Sequence, residues 1–170
     1  MSNAPLHHNP VIATGLQTMR FGRGFAKMVL DKTDDDLFFS IPYHGANHAA
    51  WVVGHLATTD EFILTTMTGA KSVLPEGWGK LFGGGSTCEA GSKKYPSRKE
   101  LMTAFDERRA AIEKWYTSLP DDQLHMPVEG EIAMFLPTRS ALGGACGFHD
   151  GFHAAQISAA RRASGLPPMF

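Results

Sequence analysis

Apolar residues recur at helical spacing in several separate stretches of the chain, and this pattern predicts amphipathic helices. The first helix is expected over about residues 11–32. The other three are expected from a cap at Asn47 to Gly69, from Ser97 to Pro120, and from Thr138 to Gly165. Ser97 followed three residues later by Glu100 is the pattern of a capping box, which supports a helix start there.

Alternation of apolar and polar residues, which would indicate strands, is nearly absent from the chain. A connector with one short turn at Asp34–Phe39 follows the first helix, and a long glycine-rich loop occupies residues 70–96. Loops of this length in a compact domain are usually functional or mobile. We therefore expect an all-α protein, a four-helix bundle with a long crossover loop between helices two and three.

Length and composition fit one globular domain. The chain has 170 residues, of which 43% are hydrophobic and 19% charged, so we expect a single helical-bundle domain over residues 1–170. Residues 1–10 are expected to form a flexible N-terminal tail. The net charge is −1 and no long basic stripe occurs, which argues against nucleic-acid binding through phosphate neutralisation.

The two cysteines, Cys88 and Cys146, match neither a zinc motif nor a redox pair. Free thiols in a cysteine-poor chain suit a reducing compartment. The sequence has neither the charged start and apolar run of a signal peptide nor an apolar stretch of about 18 residues that could span a bilayer. A cytoplasmic protein without membrane contact is therefore expected.

His149 and His153 stand four residues apart in the fourth predicted helix. On a helical wheel they fall on one stripe, which we expect to face inward, with the neighbours Leu142, Cys146, Phe152 and Gln156. Arg161 and Arg162 fall outside this stripe and are expected to be solvated. Asp150 is expected at the edge of the stripe, paired with an arginine, which leaves the stripe without a carboxylate.

Two imidazoles one helical turn apart have the geometry of helical metal sites. The same spacing also occurs in buried histidines that donate hydrogen bonds to carbonyls or water, and the pair alone leaves both readings open. A third candidate, His55, lies on the inner face of the second predicted helix, which it shares with His48, Val52, Leu56, Thr59, Phe62 and Ile63.

The order N-xxx-W-xxx-H-L, beginning at Asn47, is followed about 95 residues later by HxxxHxxQI, beginning at His149. In this order the chain resembles the DinB-like superfamily of bacterial four-helix proteins, whose members include thiol-dependent transferases. The resemblance is strong over residues 47–62 and 149–162, and architectural over the first and third helices. It implies that His55, His149 and His153 bind a divalent metal.

Three neutral imidazoles would leave coordination positions open, as catalytic metal sites do. Zinc and nickel suit imidazole ligands, and the ion could activate water or hold a substrate thiolate. We expect a metal-dependent transferase that uses a low-molecular-weight thiol and a small-molecule substrate. A metal-dependent hydrolase and a non-catalytic, stress-related binding protein are the alternatives.

Several neighbours of the three histidines have two readings each. His48 is expected either to line the pocket or act as a proton acceptor, or to cap a surface groove. Gln156 orients a ligand ring, or it bonds across the bundle. Cys146 is a soft fourth ligand, or a small core residue. Trp51 and Phe152 are expected in the core.

The last helix contains the closely spaced glycines Gly143, Gly144, Gly147 and Gly151. Each costs up to about 1 kcal/mol relative to alanine within a helix. They therefore indicate a close approach, either to a neighbouring helix or to a ligand space. Exposed glycines and apolar residues on the first and last helices also predict a homodimer.

Overall fold

The computed structural model describes residues 7–169, and the chain forms a helical bundle. The long helices are α1 (Pro10–Asp31), α3 (Ala49–Thr68), α5 (Arg98–Thr117) and α6 (Leu142–Ala163). Short helices are α2 (Asp35–Phe38) and α4 (Trp78–Phe82), and 3-10 turns cover Asp121–Gln123, Glu131–Met134 and Arg139–Ala141. Within residues 7–169 strand pairing is limited to one isolated bridge, so the all-α prediction is confirmed.

Local signals explain where the long helices begin and end. Asn9 caps α1 by accepting a hydrogen bond from the Val11 backbone at 2.9 Å. Ser97 and Glu100 form the predicted capping box of α5. Gly69 ends α3 with a left-handed φ of +70°, a conformation that glycine adopts without steric cost.

Three predicted boundaries differ from the structure. The cap of α3 is His48 and not Asn47, because the His48 Nδ1 accepts the Trp51 backbone N–H at 2.9 Å. Thr138 precedes a 3-10 turn, so α6 begins only at Leu142. Residues 1–6 of the predicted tail lie outside the described residues. The last residue of the predicted tail, Pro10, is the first residue of α1.

Two core clusters define the directions of the helices. One cluster joins the C-terminal halves of α1 and α6 to the N-terminal halves of α3 and α5. The other joins the N-terminal halves of α1 and α6 to the C-terminal parts of α3 and α5. α1 and α6 therefore run parallel to each other and antiparallel to α3 and α5. Since α3 and α5 share a direction, the segment 70–96 must cross the length of the bundle, as predicted.

Glycines allow α1 and α6 to approach closely. A Cβ on Gly143 would overlap the backbone of Gly15, and a Cβ on Gly147 would lie 2.6 Å from the carbonyl oxygen of Thr18. Gly144 and Gly151 have no such neighbour within 4 Å. The glycine-rich start of α6 thus serves helix packing at Gly143 and Gly147, the first of the two expected explanations.

Each long helix contributes one charged residue to a buried cluster, which we call the charge quartet: Arg23, Asp60, Arg109 and Asp150. Arg23 lies 2.6 Å from Asp60 and 3.2 Å from Asp150. Arg109 lies 2.8 Å from Asp60 and 2.9 Å from Asp150. Each carboxylate thus meets both guanidinium groups, which offsets the cost of removing four charges from water.

The quartet corrects the prediction for Asp150, which is fully buried and not at an edge, although its pairing with arginine is confirmed. Burial raises the pKa of Asp150 to about 6, against the opposing effect of the two arginines. Arg109 is a charged core residue, 3% exposed, that the apolar pattern did not identify.

The buried side of α6 is centred away from His149. On a wheel with His149 at 0°, the buried residues of α6 span about 20° to 160°. Arg161, at about 120°, lies on the side where Gly143 contacts α1, and it is only 5% exposed. The predicted solvated flank is therefore wrong for Arg161 and right for Arg162. Phe152 is 52% exposed, so its expected place in the core is also wrong.

No helix among residues 7–169 combines the length and the apolar character that crossing a lipid bilayer requires.

Candidate metal centre

Three histidine side chains from two helices meet at one point. The Nε2 of His149 on α6 lies 3.2 Å from the Nε2 of His55 on α3. It also lies 3.0 Å from the Nε2 of His153, one turn further along α6. The structure therefore brings together the three residues that the sequence singled out, each through the same ring nitrogen.

The opposite nitrogens of two of these rings are held by the protein. The Nδ1 of His55 lies 2.7 Å from the carbonyl oxygen of Phe82, and the Nδ1 of His153 lies 2.8 Å from the Oε1 of Gln156. Because these oxygens only accept hydrogen bonds, each Nδ1 carries the proton. The Nε2 lone pairs of both rings are therefore free and face the centre.

This arrangement fits a metal ion. Two nitrogens that each bind one ion at about 2.1 Å lie roughly 3.0–3.4 Å apart for angles between octahedral and tetrahedral. The two separations from His149 fall in this range, at 3.2 Å to His55 and 3.0 Å to His153, and all three ligand atoms lie within 4.8 Å of one another. Lone pairs that converge in this way repel each other unless a proton or a cation lies between them.

The surroundings keep the imidazoles neutral. Burial, reinforced by His153 and His55, lowers the pKa of His149 to about 3. Burial and the neighbouring His55 lower the pKa of His153 to about 4. Burial also lowers the pKa of His55, in spite of the hydrogen bond to Phe82. Neutral imidazole is the form that binds metal, so the site is ready for an ion at neutral pH.

Trp51 supports His55 from one side, and its predicted burial is confirmed at 5% exposure. The two rings stack with centroids 4.8 Å apart and an interplanar angle of 10°. The indole Nε1–H donates to the Oγ of Ser86 at 3.0 Å, and this hydroxyl donates to the carbonyl of Leu81, also at 3.0 Å. No sequence pattern indicated Phe82 or Ser86, because Phe82 acts through its backbone carbonyl and Ser86 lies in a loop.

Two candidates from the sequence lie away from the centre. His48 is fully buried, and its ring nitrogens contact the Trp51 backbone N–H and the Glu89 carbonyl, so it caps α3 and does not line the site. Cys146 lies in the core cluster at the N-terminal end of α1. Burial raises the pKa of its thiol to about 12, which makes it a core residue and not a fourth ligand.

The group of converging ligand atoms found among residues 7–169 consists of histidines alone, without a carboxylate. Asp60 and Asp150, the acidic residues close to these histidines in sequence, are bound within the charge quartet. Gln156 takes the first of its two expected roles, since it holds a ligand ring.

Exposed aromatic rings border the centre on α6. Phe152 lies edge-on to His153 with ring centroids 5.3 Å apart, and Phe148 lies 6.1 Å from Phe152. Phe148 is 73% exposed. On α3, Phe62 is 51% exposed, although it was expected on the inner face. Phe152 therefore places an apolar, half-exposed ring directly beside His153.

A search of curated proteins found no match to this chain. The family model of the DinB superfamily matches residues 22–157. The match spans most of the chain and includes all three histidines of the centre, the whole of α3 and α6 as far as Ile157. The chain therefore belongs to the DinB superfamily.

Proposed function

We propose that this protein holds a divalent metal, zinc or nickel, on His55, His149 and His153, and that it is a transferase using a small thiol as co-substrate. The observation that carries the proposal is the convergence of three Nε2 atoms, with those of His55 and His153 at 3.2 and 3.0 Å from that of His149 and two of the rings oriented through Nδ1. Imidazole ligands suit both metals.

A divalent ion in this position would lower the pKa of a bound thiol or water and so supply a nucleophile at neutral pH. The three histidines would hold the ion, while Phe82 and Gln156 orient two of them. The group of converging ligand atoms contains no carboxylate, and so no carboxylate in it could act as a general base. This favours a thiol, which needs no further deprotonation once it is a thiolate and keeps much of its nucleophilicity.

The test is a conjugation assay with zinc-loaded protein, a chlorinated aromatic electrophile and a set of cellular thiols. In the reaction an S–C bond forms, chloride leaves and the thiol proton passes to water. We expect conjugation above the uncatalysed rate that is lost in His153→Ala. His44→Ala, which removes an exposed histidine, is the matched control and should retain the activity.

Other outcomes would identify the alternatives. Hydrolysis of esters or amides that is lost in His153→Ala, without conjugation, would support a hydrolase. Metal binding without either reaction would support a non-catalytic binding protein. Equal conjugation by the wild type and His153→Ala would show that the reaction does not take place at this centre.

For partners, we propose a cytoplasmic homodimer that binds no nucleic acid. Phe21 on α1 and Phe148 on α6 are 79% and 73% exposed, and Gly24 near Phe21 has open space above it. A dimer mass by light scattering at tens of micromolar, reduced to a monomer mass in Phe21→Asp/Phe148→Asp, would support the dimer. Sub-micromolar, sequence-dependent DNA affinity at physiological salt would contradict the second part.

A further inference from the structure

We propose that the end of helix α4 positions His55 for metal binding, with Phe82, Ser86 and Gly54 as positioning residues. The proposal assigns a role to the segment 70–96: it is a support for one metal ligand. It rests on the proposed metal binding by His55, His149 and His153, and it concerns how tightly and in what geometry that ion is held.

The first contact is direct. The backbone carbonyl of Phe82, the last residue of α4, accepts the Nδ1–H of His55 at 2.7 Å. Carbonyls at a helix C-terminus lack partners within the helix and carry its negative end. Such an acceptor fixes the tautomer and the ring orientation of a metal-binding histidine, and strengthens it as a ligand.

The second contact passes through Trp51. Its indole ring lies flat against His55, and Ser86 holds the indole by accepting the Nε1–H at 3.0 Å. The Ser86 hydroxyl in turn donates to the carbonyl of Leu81, also at 3.0 Å. Two consecutive carbonyls of α4 therefore hold the stacked pair, one through His55 and the other through Ser86 and Trp51.

The third contact fixes α4 itself. Phe82 is fully buried, and its ring lies against Gly54, the residue that precedes His55 on α3. A Cβ on Gly54 would overlap this ring. The absence of a side chain at residue 54 is therefore what allows α4 to sit against α3 with the Phe82 carbonyl in reach of His55.

These contacts couple the segment to the metal. If α4 favours the ring orientation that binds metal, then bound metal must favour the docked position of α4 by the same free energy. Zinc should therefore slow amide hydrogen exchange in residues 78–86 of the wild-type protein. A segment that only covers the core would gain no more protection from zinc than the rest of the protein gains from its general stabilisation.

The experiment measures zinc affinity by competition with a chelator for Gly54→Ala and Ser86→Ala. Removal of a partner that orients a metal ligand typically weakens binding by about 10–100-fold, and we expect this range for Gly54→Ala. For Ser86→Ala, which acts through Trp51, we expect roughly tenfold, the lower end of that range. The visible absorption of the cobalt-loaded protein should change in both variants, because the ligand geometry changes.

Three further variants serve as controls. Ser86→Thr keeps the hydroxyl and should restore the affinity. Gly144→Ala adds a methyl group to a helix where there is open space, and Ser92→Ala removes a hydroxyl from an exposed residue of the same segment. Both should bind zinc as the wild type does. If Gly54→Ala does not fold, Ser86→Ala with its rescue by threonine still tests the proposal.

Wild-type zinc affinity and an unchanged cobalt spectrum in Ser86→Ala, or no rescue by Ser86→Thr, would overturn this inference and leave the proposed metal binding intact. Amide hydrogen exchange in residues 78–86 that does not depend on zinc would also overturn this inference and leave the proposed metal binding intact. A wild-type protein that binds neither zinc nor nickel would overturn the proposed function, and this inference with it.

Discussion

Gln156 accepts a hydrogen bond from the Nδ1 of His153 at 2.8 Å, from one turn further along the same helix. His153 is 5% exposed, so its ring has little freedom once this bond forms. In the proposed metal site, a single helix would provide both a ligand and the group that orients it, since residues three apart lie side by side.

Replacing Gln156 should therefore weaken metal binding. We expect Gln156→Ala to raise the zinc Kd by about 10–100-fold, because the His153 ring loses its orienting acceptor. Gln156→Glu keeps an acceptor and should bind at least as tightly as the wild type. Chelator competition gives the values, with the exposed Gln17→Ala as control. Equal Kd values for Gln156→Ala and the wild type would show that the bond has no role in binding.

Removing two ligands should remove the metal. Protein purified without chelator or nickel affinity resin should contain a divalent metal, and His55→Ala/His149→Ala should not. The wild type should also gain thermal stability from added zinc, because a ligand bound only by the folded state stabilises it. Elemental analysis and thermal melts of both proteins, with His44→Ala as control, provide the check. Equal metal contents would place the ion elsewhere.

The metal-free protein should lose stability in mild acid. Folding lowers the pKa of His149 to about 3 and of His153 to about 4 from an ordinary 6.5. Below pH 6.5 the unfolded chain therefore binds more protons than the folded one, and the free energy of unfolding falls as the pH falls toward 4. Folding raises the pKa of Asp150 from 3.8 to about 6. Between these pH values the folded chain binds more protons at this residue, so its contribution to the free energy of unfolding rises as the pH falls.

Urea midpoints of metal-free protein between pH 7.5 and 4 test this dependence. His149→Gln removes one of the groups concerned, so its midpoint should change less with pH than that of the wild type. A midpoint that is constant or rises on acidification in the wild type would contradict the expectation.

Two adjacent glycines should respond to alanine with opposite signs. Gly143→Ala should destabilise the fold by about 1–3 kcal/mol, the usual cost of overpacking, because the new Cβ would overlap the Gly15 backbone. Gly144→Ala should stabilise it by up to about 1 kcal/mol, since alanine favours the helix and nothing lies within 4 Å. Denaturant unfolding of both variants measures the difference, and similar values would mean that α1 and α6 are less closely packed.

The sequence predicted the helices well because their signals are local. The capping box of Ser97 and Glu100 and the end of α3 at Gly69 need only a few neighbouring residues, and both are observed. The five residues of α4 are too few to produce a helical period. This short helix, which lies within the predicted loop, was therefore missed.

Residues whose environment depends on tertiary packing were predicted less well. The helical wheel centred on His149 placed Asp150 at an edge and Arg161 in solvent, yet both are buried, because the side of α6 that meets α1 is about a quarter turn away from His149. His55 was a third candidate from its place on the inner face of the second predicted helix, and the family resemblance added the implication that it binds metal. The Phe82 carbonyl had no sequence signature, because every residue has one.

The charge quartet has a consequence for how this sequence can change over time. Loss of one member of a buried ion cluster typically costs about 3–5 kcal/mol, whereas concerted replacement by apolar residues is often neutral. Arg23, Asp60, Arg109 and Asp150 come from four different helices. We therefore expect related sequences to keep all four or to exchange them together, so that four distant positions evolve as one unit.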